Sequence, residues 1–440
     1  MFDALFTTTT EYKKLSHALS GKGACALFGL PASGRAQVYA ALCRQLDKPL
    51  CIVTPGEAEA TRFAADLNTL GIPAAVFPAR DYVLRPIEGT AREYEYRRLA
   101  VLGELVGGRL RAVAVPAEAL TQFTTPKEDF CANTRTLHAG DTLLRDDLLA
   151  ALFGAGYTRR AQVDGPGQFS VRGDIVDIFA PDQKMPVRME FWGDEIDTLH
   201  TFDLTTQRRE DAIDKFYLSP AREVLFGKPA DAAEQLRAFL AKQRGKKKTA
   251  MADCMAADLD LLDGGAVPVN MDKYLAVRYP HPATVLDYFD DPILVAEEPA
   301  SIREADRATA YRRGEELKSL ILDGVLCAGL DNLYADPSYL WSKTGHYRTI
   351  CAENFTRSMP DQPLKDIINA PAHTLPAWNG EVAGLLEDLK PLCDAGYTVT
   401  LLAGTDRAAA GLARDLRDKG ILVTTDAAAA PAAGLVQHRW

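Results

Sequence analysis

Residues 24–36 read ACALFGLPASGRA, and their order decides the fold class. Ala24 to Gly29 is an uninterrupted apolar run that ends in a glycine turn, as a buried strand does. Gly29 to Ala36 then has the spacing of the phosphate loop, Gly-x4-Gly-Lys-Ser/Thr, which joins a strand to a helix. In that loop backbone N–H groups wrap the phosphates, the lysine reaches the β and γ phosphates, and the hydroxyl holds Mg2+. Here Gly29 and Gly34 keep the glycine positions, but Arg35 stands for the lysine and Ala36 for the hydroxyl. Arginine keeps the charge on a bulkier, forked donor set, and alanine ligates no metal. The expectation is a phosphate-loop fold kept as scaffold, with no catalytic residue, no cofactor and no metal.

Outward from this loop the chain alternates strands and helices. Leu50 to Thr54 and Ala112 to Val115 read as buried strands, Ala74 to Phe77 as a short one, and Gly56 to Leu70 as a helix. Such a βαβ pattern implies a mostly parallel sheet covered by helices. Far along the chain Pro292 to Val295 is a further apolar strand, and Ala296, Glu297 and Glu298 follow it as in a Walker B strand. The position expected to carry the magnesium aspartate is Ala296. Near the end TPGEAEATRFAADLNTLGI at 54–72 echoes AGTDRAAAGLARDLRDKGI at 403–421. Two related domains produce such an echo, and so does the generic grammar of any α/β layer. Ala427 to Ala433 reads as a frayed end or linker.

Composition excludes several classes. No apolar run is long enough to span a membrane, and the first residues, MFDALFTTTTEYKKL, lack the pattern of a secretory signal. The eight cysteines and seven histidines are scattered without metal-ligand spacing. The cysteines read as reduced core residues of a cytoplasmic protein. A net charge of −10 disfavours autonomous binding to a nucleic-acid backbone. The one dense basic run, Lys242 to Lys248, reads as a solvated helix end or loop, with a weak nucleic-acid contact as the alternative.

The character changes near residue 120. A helix at Asp146 to Phe153 precedes strands at Gln168 to Val171, Ile175 to Phe179, Val187 to Trp192 and Thr198 to Asp203, with turn signals between them. The segment 167–208 reads GQFSVRGDIVDIFAPDQKMPVRMEFWGDEIDTLHTFDLTTQR. Its motifs GxFxVRGDIxDIFxP, RxEFxGDEID and FDxxTQR resemble the second domain shared by the excision-repair helicase UvrB and the Mfd family of bacterial transcription-repair coupling factors. The flanks VPAEALTQFTTP at 115–126 and DDLLAALFGAGYTR at 146–159 fit the same resemblance. Arg35 and Ala36 depart from the intact phosphate loop of UvrB. The stretch Phe77 to Arg109 is too short for its tyrosine-rich hairpin. The coupling-factor family is therefore favoured, and an ATP-dependent UvrB-type helicase fragment is the alternative.

That resemblance implies a degenerate P-loop, helicase-like α/β domain with a parallel sheet. It is formed by 1–119 and 206–355, interrupted by an inserted α+β domain with an antiparallel sheet at 120–205, and followed by a small α/β domain at 356–440. The inserted domain is implied to dock UvrA, with RNA polymerase and double-stranded DNA held by parts outside these residues, where the ATP-dependent translocase also lies. In the strand from Pro186 to Trp192, Val187, Met189 and Phe191 face one way and Arg188, Glu190 and Trp192 the other. By the motif, Arg159, Arg172 and Arg188 fall at the UvrA-contacting arginines, while Ser170 stands where UvrB often has another. Read without the resemblance, each is a surface arginine or a partner of Asp174, Glu190 or Asp194.

Overall fold

The computed structural model describes residues 7–87, 92–359, 362–370, 372, 382–396, 398–402, 405–424 and 434–438. Strand β1 (Gly23–Phe28) leads into the helix Ala32–Leu46, β2 (Leu50–Thr54) into the helix Glu57–Thr69, and β3 (Ala74–Val76) and β4 (Ala112–Pro116) flank the helix Glu93–Val106. The chain then leaves this layer for β5 (Arg135–His138), the helix Arg145–Gly154, β6 (Thr158–Arg159), β7 (Gln168–Arg172), β8 (Ile175–Phe179), β9 (Val187–Trp192), β10 (Glu195–Phe202), β11 (Arg209–Ala212) and β12 (Lys215–Leu218). It returns through β13 (Ile293–Glu297), β14 (Arg348–Glu353) and β15 (Leu364–Asn369), and ends in β16 (Thr398–Leu402), β17 (Val423–Thr424) and β18 (Gly434–His438).

The first sheet has the order β15–β1–β14–β13–β2–β4–β3, and every neighbouring pair is parallel. Strands β2, β4 and β13 are buried at every residue, as strands covered on both faces must be. Alternation divides them between two cores. Leu27, Ile52, Ala114 and Val295 pack under the helices Ala32–Leu46 and Glu57–Thr69. Phe28, Val53, Val115 and Ala296 pack against Leu99 and Leu102 of the helix Glu93–Val106. A third core is helical and joins Pro229–Ala241, Gly245–Asp263 and the end of Pro299–Leu322. Lys242 caps the first of these helices and Lys246 to Lys248 open the next, so the basic run straddles a helix break.

The second sheet, β11–β10–β9–β8–β7–β6, is antiparallel except between β6 and β7. Its Phe169, Val176, Ile178, Met189 and Phe191 face the helix Arg145–Gly154 and the β5–β12 pair, forming a core that draws on residues 137–221. The other face carries polar side chains and a small cluster of Val163, Phe179 and Phe202. A small parallel sheet, β16–β18–β17, with the helix Asp406–Asp418, closes the chain. Ala427 to Ala433 lie outside the described residues.

Candidate functional site

The phosphate-loop remnant begins where Gly29, at φ +90°, turns the chain out of β1. The helix starts at once. Pro31 is its N-cap, and the Arg35 N–H bonds the Pro31 carbonyl at 2.9 Å. Gly34 and Arg35 therefore lie inside a first helical turn, which consumes an N–H that an open phosphate nest would present. The Arg35 side chain is buried. Its Nη2 lies 2.9 Å from both Glu297 Oε2 and Glu298 Oε1, and Nη1 donates to the Leu30 carbonyl at 3.2 Å. The Tyr39 hydroxyl donates to the other Glu297 oxygen. The arginine of the loop and the glutamate of the Walker B position thus close on each other.

Ala36 and Ala296 do not share that space. Ala36 belongs to the core on one face of the sheet and Ala296 to the core on the other. Burial pushes the Glu297 carboxyl up to about 7, against the pull of Arg35 and the Tyr39 hydrogen bond. Burial alone would lower the Arg35 pKa, but Glu297, Tyr39 and Glu298 hold it above its ordinary value. The guanidinium therefore stays charged while the carboxyl titrates near neutrality.

The second site is the polar face of the antiparallel sheet. Asp177, at 0 % exposure in the middle of β8, is in register with Ser170 on one side and Arg188 on the other. Arg188 takes it in a fork, Nε to Oδ1 at 2.7 Å and Nη2 to Oδ2 at 3.0 Å, and donates from Nη1 to the Gln207 carbonyl at 3.2 Å. Its guanidinium also lies 4.7 Å from the centre of the Phe202 ring. Arg172 reaches the same Asp177 from β7, with its side chain 46 % exposed against 11 % for Arg188. The internal partner of both arginines is thus Asp177. Arg145 holds the hairpin tip instead, bonding the Gly173 carbonyl at 2.9 Å.

Arg159 is placed apart from this pair. It lies exposed on edge strand β6 in register with Phe169, a residue of the helix-covered core, so it takes the opposite side of the sheet from Ser170 and Arg172. Ser170 is fully buried, and its hydroxyl has no hydrogen-bond partner among the described residues. Two further residues belong to the face: Trp192, as strand alternation places it, and Asp177, which the sequence reading did not single out. Trp192 stands at its end, 82 % exposed. Asp177 is the anchor below the arginines. A signal for it lay in IVDIF at 175–179, where one carboxylate interrupts an apolar strand and so demands a partner.

Arginine and tryptophan are residue types enriched at the hot spots of protein interfaces. Residues 136–224 match the family model of the UvrB interaction domain. The chain is also similar to transcription-repair-coupling factors. It is 25 % identical to that of Bacillus subtilis strain 168 over 406 residues, covering 90 % of this chain and 34 % of the relative. It is 35 % identical to that of Myxococcus xanthus over 208 residues, covering 45 % of this chain and 17 % of the relative. With that of Mycobacterium bovis the identity is 34 % over 257 residues, 56 % of this chain and 20 % of the relative. The chain spans about a third of the length of the Bacillus protein. Among the described residues no helix is long and apolar enough to cross a membrane.

Proposed function

We propose that this chain is the partner-docking module of a transcription-repair coupling factor, and that the polar face of its antiparallel sheet recruits UvrA in the cytoplasm. The observation that carries the reading is the Arg172–Asp177–Arg188 arrangement beside Trp192, on the unit that matches the UvrB interaction domain. Arg172 keeps nearly half its side-chain surface free to pair with a carboxylate of the partner, and Arg188 presents an edge of a guanidinium already fixed in direction. Trp192 supplies apolar area at little entropic cost. Arg159 contributes from the sheet edge.

The phosphate-loop domain serves as scaffold and works without nucleotide. Arg35 fills the space that a nucleotide's phosphates would need, and no hydroxyl or aspartate stands at the two metal positions. ATP-driven translocation and contacts with RNA polymerase and double-stranded DNA belong to parts of a longer protein outside these 440 residues. A UvrB-type helicase would require these same positions to hold magnesium.

Two exposed substitutions test the docking face without disturbing the fold. Arg172→Ala leaves Asp177 its fork from Arg188, and Trp192→Ala removes an unpacked ring. In calorimetric titration against UvrA each is expected to weaken binding by about 1 to several kcal/mol, with an unchanged circular dichroism spectrum. Unaltered affinity in both folded variants would overturn the assignment. An ATPase assay on the purified chain tests the scaffold reading separately.

A further inference from the structure

We propose that the basic break between the helices Pro229–Ala241 and Gly245–Asp263 holds the backbone of double-stranded DNA, a contact on this chain itself in addition to those assigned above to parts outside it. Five of the seven residues from 242 to 248 are cations: Lys242, Arg244, Lys246, Lys247 and Lys248. Lys242 is the C-cap of the first helix and Arg244 the N-cap of the second, and the other three stand in the second helix's first turn. Gly245 takes the left-handed conformation at the break, at φ +61°. All five cations are exposed. None of their side chains has a hydrogen bond or an ion pair among the described residues. Lys247 leans over the neighbouring loop, where a Cβ added at Gly329 would lie 3.3 Å from its Nζ.

The charge order of the second helix runs against its dipole. A helix favours carboxylates in its first turn and cations in its last. Gly245–Asp263 has no acidic residue in the first turn and no basic residue in the last. Its carboxylates come later, at Asp253, Asp258, Asp260 and Asp263. There the unfavourable order is relieved from other elements, since Asp258 is bonded to Lys273 Nζ at 3.0 Å and Asp263 to Arg237. Two carboxylates near the break are occupied as well. Asp231 accepts the Lys228 N–H at 3.3 Å, and Asp331 accepts that of Gly329 at 2.7 Å. The lysines of the first turn have no such relief. In a chain of net charge −10 this is a local rule broken without internal compensation, which marks a place where an outside group supplies it.

The residue types choose the anion. A guanidinium fork matches a carboxylate, as Arg188 does on the polar sheet face. A lysine ammonium is a hydrated point charge that meets a phosphate from many angles. Four of the five cations are lysines. Residues 241–250 hold no aromatic side chain on which an unpaired base would stack. The surface therefore fits the phosphates of a duplex and positions it without reading its sequence. That the duplex is DNA rests on the reading of this chain as part of a repair factor. The net negative charge keeps the contact weak and steeply dependent on salt.

The test titrates the 440-residue chain into a fluorescein-labelled DNA duplex of mixed sequence, by anisotropy, from low to physiological salt. The parent is expected to bind, with log affinity falling linearly against log salt. The triple variant Lys246→Gln, Lys247→Gln, Lys248→Gln is expected to lose most of the binding at low salt. Its salt slope should flatten by about 3, near one for each lysine. Its urea midpoint is expected to equal or exceed the parent's, because like charge leaves the positive end of the helix. Unlabelled duplex should displace the probe, and polyglutamate of equal charge should not. No binding by the parent at low salt, an unchanged slope in the variant, or displacement by polyglutamate as efficient as by duplex would overturn the proposal. So would a lowered urea midpoint, which would give the lysines a structural role. An RNA duplex held more tightly than DNA would overturn the choice of DNA. The UvrA titrations do not involve these lysines, so the failure of either reading is visible apart from the other.

Discussion

Arg35 shows how one side chain converts a ligand site into a structural contact. Its guanidinium is buried against Glu297, whose carboxyl burial raises to about 7. A carboxyl with a folded pKa above its unfolded value of 4.5 favours folding in its protonated form. Its contribution is complete below pH 4.5 and is lost as pH rises through 7. Glu297→Gln removes that dependence. The stability advantage of the parent over the variant is therefore expected to shrink between pH 5 and pH 8, by at most ~1.4 kcal/mol per pH unit, in urea titrations. A difference independent of pH would contradict the buried-carboxyl account. The docking face poses a related problem at Asp177, which is fully buried. Arg188→Ala strips the fork from it and leaves only the half-exposed Arg172. Breaking a buried pair in this way costs about 3–5 kcal/mol. The urea midpoint should fall far more for Arg188→Ala than for Arg172→Ala, so a binding loss in the former reads partly as a folding loss.

At the scale of elements, hairpin turns fix which face each arginine takes. Gly173 and Gly193 close the β7–β8 and β9–β10 hairpins at φ +61° and +62°, and a Cβ added at either would meet no atom within 4 Å. Gly173→Ala should therefore cost only the backbone penalty of the left-handed region, about 1–2 kcal/mol, read as a urea midpoint shift. A loss well beyond that would mean the hairpin register had slipped. These turns were legible because glycine followed by aspartate between alternating strands is a strong hairpin signal; β7 to β9 stand where alternation predicts them, while β10 begins at Glu195, ahead of the expected Thr198. The first sheet was legible in β1, β2, β4 and β13, whose runs are apolar up to their last residue. Its central strand β14, RTICAE, escaped because arginine, threonine and glutamate leave only three apolar residues in it. Strand β11 escaped for the same kind of reason, REDA being exposed throughout. The convergence of Arg172 and Arg188 on one aspartate needed register between three strands, which no single strand's pattern contains.

At the scale of the whole molecule the question is what holds the antiparallel unit to the parallel sheet. The chain leaves through Thr125 and returns through Glu223, and these two crossings are tied together. The Thr125 hydroxyl bonds the Glu223 carbonyl, the Tyr279 hydroxyl bonds the same carbonyl at 3.2 Å, and the Tyr288 hydroxyl bonds the Thr125 carbonyl at 2.8 Å. Beneath them lies a buried charge network. Arg98 grips the Glu223 side chain at 2.6 Å and Gln122 at 2.9 Å, while Arg80 bonds Asp272 at 2.7 Å. Glu95 accepts the Glu223 N–H at 3.0 Å and an Arg92 nitrogen at 2.8 Å. Burial would raise the Glu95 carboxyl, but Arg80, Arg222 and Arg92 together hold it down at about 2. The sign is opposite to that of Glu297. A carboxyl with its folded pKa below the unfolded 4.5 stabilises above pH 4.5, and that stability is lost as pH falls toward 2. The shift corresponds to roughly 3 kcal/mol at neutral pH. Glu95→Gln leaves three arginines facing a neutral group, so the variant should be less stable than the parent at pH 7. The gap should close on acidification from pH 5 to pH 3. Because Glu95 holds the returning segment, limited proteolysis of Glu95→Gln at pH 7 should cut near 221–224 before it cuts either sheet. Uniform protection of that junction in the variant would show that the crossing is held by the tyrosine and threonine hydrogen bonds alone.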